Sequence, residues 1–153
     1  MEIRLATFND IEELCLLYRA FFAYNAKMQP KYYKEGEIIE DYPKSVILSK
    51  EEDIFVAVND NVIIGFIHIQ ENETPPYESY VSYKYAEIIE FFIAEEFRKQ
   101  GIGSKLFNSV KEWSKKRGGS YIEAMVLTNA RGEIKFYEKK AFKTKMHIMR
   151  YEF

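Results

Sequence analysis

Apolar and polar positions change period several times along the chain, and each change marks an element. Ile3 and Leu5 alternate with polar residues, which predicts a short strand. Asn9 or Asp10 can cap the helix that follows. Its apolar face is written by Ile11, Leu14, Cys15, Tyr18, Phe21 and Phe22, and it fades near Gln29-Pro30. A second helical stretch runs from about Gly36 to Leu48, with an interruption near Pro43. The period then shortens. Residues 53–58 and 62–70 are β-rich, and Asn59-Asp60-Asn61 between them is a tight-turn signal, so the pair reads as a hairpin. Residues 71–80, with Pro75-Pro76, read as a loop, and YAEIIEFFIA (85–94) as a third β segment. A glycine-containing turn leads into a helix over 101–117, with Leu106, Phe107, Val110 and Trp113 on one side and Gly118-Gly119 as its stop. Strand 120–127, helix 130–140 and a final strand over 142–153, with a break near Lys145, complete the order β, α, α, β, β, β, α, β, α, β, β. That order predicts an α/β fold of the α+β type. A mixed, largely antiparallel sheet is flanked by helices and contains one βαβ unit, all in a single domain over 1–153.

Composition narrows the class. The chain has 153 residues, 47% of them hydrophobic and 16% aromatic, enough for a sizeable core. No apolar run approaches the roughly 18 residues that would span a bilayer, so no membrane partner is expected. The opening MEIRLATFND has early acids and no apolar core of a leader, which sets the expectation of a cytoplasmic protein. One Cys and two His leave no disulfide framework and no promising metal site. The net charge of −2 conceals an asymmetry: residues 1–84 carry a balance of −7 and residues 85–153 a balance of +5. A basic half suits a polyanionic ligand, and an acidic half suits a cation.

The stretch with most chemistry is Arg98-Lys99-Gln100-Gly101-Ile102-Gly103-Ser104, between a strand and a helix. Two glycines permit unusual φ and close approach to the backbone. Amides of the turn and of the first helical turn point outward there, at the positive end of the helix dipole. Together they form an anion site suited to a pyrophosphate. Arg98, Lys99 and Lys105 add formal charge. No G-x-x-x-x-G-K-[ST] exists, and the third glycine of a dinucleotide-binding fingerprint is missing, since Leu106 follows Lys105.

R-x-x-G-x-G in this setting resembles the Q/R-x-x-G-x-G/A motif of the GNAT N-acetyltransferase superfamily. The wider string IEFFIAEEFRKQGIGSKLF is similar to that family's strand–loop–helix block. Asn129 and FYEKKAF resemble a second family segment, and the element order matches the fold over nearly the whole chain. The resemblance implies a GNAT-like sheet with a splayed central strand pair. It also implies acetyl transfer from acetyl-CoA to a primary amine of a small molecule or peptide, by direct attack in a ternary complex. The loop amides of Gln100, Gly101, Ile102, Gly103 and Ser104, with Arg98 and Lys99 beside them, would bind the pyrophosphate. The backbones of Phe91, Phe92 and Ile93 would pair with the pantetheine arm, their side chains being core. Asn129 would hydrogen-bond the pantetheine amides. Three departures stand out: Asn129 to Tyr137 is one residue longer than usual, Glu133 stands where small residues are common, and Ala141 replaces a glycine.

The reaction needs a neutral amine. An alkyl amine with a pKa near 10 is unprotonated in only about one molecule per thousand at pH 7, and a carboxylate near the splay can take its proton directly or through water. Glu87 and Glu90 are the candidates, Glu90 ranking slightly ahead. Strand alternation sends them to opposite faces unless a bulge intervenes. Tyr137 matches the family tyrosine that protonates the departing thiolate. Among the remaining residues, Cys15 reads as an inert thiol on the helix stripe. His68 reads as a satisfied structural histidine or a cleft-lining one, and His147 has no nameable partner. Tyr24, Tyr32, Tyr33, Tyr77, Tyr80, Tyr83 and Tyr85 are expected to wall the acceptor side. The acidic half favours a cationic amine, and the aromatic C-terminal strand permits a homodimer. The rival readings are a CoA-binding sensor without transfer and a nucleic-acid-binding surface around Lys111, Lys115, Lys116 and Arg117. The charge balance and the short basic run argue against the latter.

Overall fold

The computed structural model describes all of residues 1–153. Strands β1 (Glu2–Leu5), β2 (Glu52–Asn59), β3 (Val62–Glu73), β4 (Lys84–Ile93) and β5 (Ile122–Ala124) form one sheet in that spatial order. The first three junctions are antiparallel, and β4–β5 is parallel. Four helices cover it: α1 (Ile11–Met28), α2 (Asp41–Leu48), α3 (Ile102–Lys116) and α4 (Arg131–Lys139). The crossover from β4 through α3 to β5 is the βαβ unit expected from the chain.

Local chemistry explains the joints. At the β2–β3 turn Asp60 and Asn61 take φ of 49° and 64°. Such paired left-handed residues match the twist of a two-residue hairpin, and Asn and Asp tolerate them. Before α1, the Asp10 carboxylate accepts two bonds from the Arg4 guanidinium, both 2.8 Å, and one from the Thr7 amide at 2.7 Å. These contacts tie β1 to the helix start and hold the carboxyl down at about 2. Pro43 sits in the first turn of α2, where its missing N–H has no helical partner to lose, so it starts the helix rather than breaking it.

The sheet separates two apolar layers. Ile67, Ile69, Ala86 and Ile88 face α3, packing on Ile102, Leu106, Val110 and Trp113. Phe66, Ile54, Val56 and Phe92 face α1 and α2, packing on Leu14, Tyr18 and Val46. With both faces covered, β3 is buried from Ile63 to Ile69.

Four expectations need correction. The second helix begins at Asp41 rather than near Gly36. Strand β3 continues through Glu73, because its residues pair with β4 down to Lys84, and only residues 74–83 are loop. Strand β5 is three residues long rather than eight. Residues 142–153 form no strand. Their β-prone sequence depends on a ladder partner, and the short β5 supplies none. This tail instead meets the rest of the chain through side chains, pairing Lys145 with Glu123 and Glu152 with Lys31, and laying Arg150 over the Tyr32 ring at 3.7 Å. No helix is long and apolar enough to cross a membrane.

Candidate active site

The site begins where β4 leaves β5. Their parallel pairing covers only Ala86 to Ile88, opposite Ile122 to Ala124. Beyond Ile88 the β5-side edge of β4 has no strand beside it, so backbone groups there are left open as far as the Ile93 carbonyl, which the Arg98 side chain takes up. The other edge of β4 carries a bulge. His68 pairs with Glu90 and Ile69 with Ile88, which leaves Ile89 as the extra residue. A bulge bends and twists its strand, and here it falls where β4 and β5 diverge.

The bulge also changes which way the glutamates point. Cross-strand partners share a face, so Glu90 lies with His68, and Glu87 with Gln70 two residues along β3. The exception allowed for a bulge therefore applies: the extra residue brings both Glu87 and Glu90 to the α1/α2 side. Their surroundings differ. Glu87 accepts a bond from Asn72 at 3.2 Å. Glu90 accepts one from the Tyr18 hydroxyl at 2.7 Å and a longer one from Tyr42 at 3.3 Å, and its Oε2 is 3.1 Å from His68 Nδ1. Tyr18 and Tyr42 are held strongly in their protonated forms, first by burial and then by the Glu90 charge. They thus remain donors to that carboxylate. A cavity of about 470 Å³ opens beside it, lined by Phe22, Glu37, Ile38, Ile39, Tyr42 and Glu90.

At the end of β4, the chain turns through Lys99 at φ 61° and Gly101 at φ 83° into α3. An L side chain at Gly101 would be strained although nothing crowds it. The Ser104 and Lys105 amides both donate to the Gly101 carbonyl, at 3.1 and 3.2 Å. Ile102 and Gly103 precede them in the first turn, where helical geometry provides an amide with no partner. Gly103 sits in close quarters: a Cβ there would meet the side-chain ends of Phe136 at 3.3 Å and of Phe91 and Ile93 at 3.4 Å. The helix start is thus pressed against both β4 and α4.

Several residues expected to contact the cofactor are otherwise engaged. The Arg98 side chain turns back to β4. Its Nε donates to the Ile93 carbonyl at 2.8 Å, and its guanidinium lies 5.0 Å from the Tyr24 ring centre and 5.3 Å from that of Phe92. Gln100 donates its side-chain amide to the Glu96 carbonyl at 3.0 Å. Lys99 is exposed beside the turn. Asn129 donates to the Met28 carbonyl and accepts from Gln29 at 3.3 Å, joining the loop after β5 to the end of α1. Phe91, Phe92 and Ile93 place their side chains in the two apolar layers, as the sequence implies.

Tyr137 is 8% exposed and packs against Phe136 and Phe142. Burial, and then the Glu133 charge one turn earlier, raise its hydroxyl well above the usual range, so it keeps its proton at neutral pH. Phe136, its neighbour, stacks edge-on against Phe91 at 5.5 Å, which sets α4 against the open part of β4. Glu133 itself is pushed upward by burial, opposed by Tyr24 and Arg98.

The tyrosines anticipated around the acceptor do not form one wall. Tyr77 and Tyr80 pack on each other in the loop, Tyr121 meets Tyr83 edge-on and stacks on Tyr85, and Tyr32 meets the C-terminal tail. The tyrosines that reach Glu90 are Tyr18 and Tyr42, whose roles the sequence reading missed. Tyr18 sits on the apolar stripe of its helix, where its ring alone explains its place. Burial and Glu40 push the Cys15 thiol up, consistent with an inert side chain.

A sheet opened between its two parallel strands, with a glycine-bent helix start at the mouth of the opening, defines an acetyltransferase class of fold. The chain belongs to the acetyltransferase (GNAT) family, whose model matches residues 11–142. It is 32% identical over 143 residues to an uncharacterized N-acetyltransferase of Methanocaldococcus jannaschii, a match covering 94% of this chain and 61% of that protein. The chain thus spans less than two thirds of that relative's length. Among solved structures, a tetramutant of the BH1408 protein from Bacillus halodurans superposes with a TM-score of 0.94 at 19% identity, all of both chains being covered. An aminoglycoside N-acetyltransferase in complex with CoA superposes with a TM-score of 0.74 at 16% identity, over 99% of this chain and 98% of that one. These two likenesses establish the fold.

The residues present fit a pyrophosphate-bearing thioester. The Ile102 and Gly103 amides open a 15-residue helix, Gly101 allows close approach, and the free edge of β4 offers backbone groups to an amide-containing arm.

Proposed function

We propose that this chain transfers an acetyl group from acetyl-CoA to the primary amine of a small molecule or peptide, by direct attack with both substrates bound. The observation that carries the reading is the position of Glu90. It stands on the bulged strand beside the open edge of β4 and on the wall of the cavity bounded by α1 and α2.

When bound, acetyl-CoA supplies an activated acetyl carbon and a sulfur leaving group. The chain supplies the rest. The first amides of α3, with Lys99 nearby, hold the pyrophosphate, and the backbone of Phe91 to Ile93 orients the pantetheine arm. Asn129 joins that contact by exchanging its bond to the end of α1. Glu90 takes the proton of the incoming ammonium, freeing the nitrogen lone pair for attack. Two hydroxyl donors fix its carboxylate, which keeps the acceptor of that proton in one place. Tyr137, held protonated, donates to the departing thiolate. A cationic acceptor with an apolar portion is favoured by a cavity in which Phe22, Ile38, Ile39 and Tyr42 accompany Glu37 and Glu90.

Thiol release from acetyl-CoA across a panel of amines, run beside calorimetric titration of CoA, tests the proposal. Release with one class of cationic amine is expected. Micromolar CoA binding without release from any amine would favour a CoA sensor instead, and no CoA binding would remove the assignment of residues 98–104.

A further inference from the structure

His68 lies in the middle of the sheet, 2% exposed, with a carboxylate at each ring nitrogen. Nδ1 is 3.1 Å from Glu90 Oε2, and Nε2 is 2.9 Å from Glu52 Oε2. The groups around this chain come from every neighbouring element. Glu52 stands on β2 and Glu90 on β4. Tyr42 of α2 is 3.4 Å from Nδ1, Tyr18 of α1 donates to Glu90, and Gln70 of β3 donates to Glu52 at 3.3 Å. Exposure rises at both ends, to 14% for the Glu90 side chain and 26% for that of Glu52.

Counting hydrogens exposes what this arrangement lacks. Each ring-to-carboxylate contact needs one proton between its two atoms. An imidazole with a single N–H satisfies one contact and sets two lone pairs against each other at the other. The trio therefore has a built place for one more proton, at the group that faces the cleft. Both carboxylates then become acceptors of charged N–H donors, the stronger kind of hydrogen bond.

We propose that Glu52, His68 and Glu90 act as one proton-holding unit, in which the proton removed from the acceptor ammonium is kept on the His68 ring during acetyl transfer. The proposal rests on the acetyl-transfer reading above. The steps balance. One N–H bond of the ammonium breaks, and the nitrogen keeps the electron pair for attack; a second N–H proton leaves that nitrogen as the C–S bond breaks, and it replaces the proton that Tyr137 gives to the thiolate. Glu90 receives the proton and passes it to Nδ1, returning to a carboxylate. The ring, which in this scheme carries its one N–H at Nε2 toward Glu52, becomes an imidazolium between two carboxylates. After the acetylated amine leaves, the proton returns through Glu90 to water in the cleft. His68 acts through Glu90, and Glu52 through His68, so both are positioning residues.

The test combines kinetics with a readout that needs no turnover. His68→Gln keeps an amide donor toward Glu90 but cannot take up a proton. It should lower kcat roughly tenfold or more and leave KM for acetyl-CoA unchanged. Glu52→Gln, at the more exposed end, keeps a hydrogen bond but removes the charge facing the ring. It should lower kcat several-fold and move the acidic limb of the kcat–pH profile to lower pH, because the unit then binds its proton less tightly. The chain has only two histidines, so the ring nitrogens of His68 are assignable by ¹⁵N NMR against a His147 variant. The Nδ1 resonance, on the Glu90 side, should shift in Glu52→Gln. If His68→Gln does not fold, Glu52→Gln decides the matter alone. A Glu52→Gln protein with unchanged kcat, unchanged pH profile and an unmoved Nδ1 resonance overturns the proposal. If the wild-type chain releases thiol with no amine, the acetyl-transfer reading fails instead. The Nδ1 resonance then decides whether the three groups are coupled.

Discussion

Asp10 and Tyr137 show how single side chains can be assigned separable work. The Asp10 carboxyl is held at about 2, chiefly by the bond from Arg4 and assisted by Thr7. A depressed carboxyl stabilises the fold above its unfolded value, and that contribution fades as pH falls through the folded one. Asp10→Asn should therefore cost on the order of 2 kcal/mol at pH 7. The gap to wild type should close between roughly pH 4 and pH 2, as read by urea midpoints across that range. Tyr137 carries chemistry rather than stability in this account. Tyr137→Phe should lower kcat by roughly tenfold with an unchanged melting midpoint, a modest loss because a thiolate departs readily. An unchanged kcat would leave the ring as packing only. At this scale the sequence was partly legible. Glu90 stood out as a charge within the apolar run IIEFFI. Tyr18 and Tyr42 did not, because a tyrosine on an apolar stripe looks the same whether its hydroxyl has a task or not. His68 was visible as a residue, but its two carboxylates come from strands 16 positions before it and 22 after it, a pairing that only the sheet register reveals.

Among the elements, those with a strong local signal were readable and those decided by partners were not. The hairpin turn, the α3 start and the α3 stop follow from Asn, Asp and Gly at positions of positive φ. The bulge at Ile89 follows from no turn residue. It is fixed by how β3 and β4 must pair to bury Phe92 with Phe66 on one face and Ile88 with Ile69 on the other. The C-terminal segment shows the converse, β-prone but without a strand to join. The departure noted at Ala141 has a measurable consequence. This residue takes φ 65°, just after α4, where the family pattern has glycine. Ala141→Gly should relieve that strain and raise stability by about 0.5–1 kcal/mol, glycine's extra freedom in the unfolded chain offsetting part of the gain. A shift of the urea midpoint to higher concentration checks it; a lower midpoint would show that the turn is unstrained.

For the molecule as a whole, the fold acts as a two-layer clamp around one open strand. Helix α3 fixes the end of β4 from one side, with its glycine-bent start beside Phe91 and Phe136. Helices α1 and α2 close over the other side and deliver Tyr18 and Tyr42 to Glu90. In the proposed reaction the two halves of the chain divide the chemistry: the basic half supplies the helix start for the anion together with Glu90, and the acidic half supplies the rest of the cavity wall. The central claim is that Glu90 takes the proton of the attacking amine in this cavity. The most direct measurement is steady-state thiol release by Glu90→Gln with the best amine found for the wild type, with CoA affinity measured by calorimetry on the same sample. The account predicts a fall in kcat of about a hundredfold or more, with CoA affinity unchanged within about twofold. A Glu90→Gln protein that turns over at the wild-type rate would contradict it.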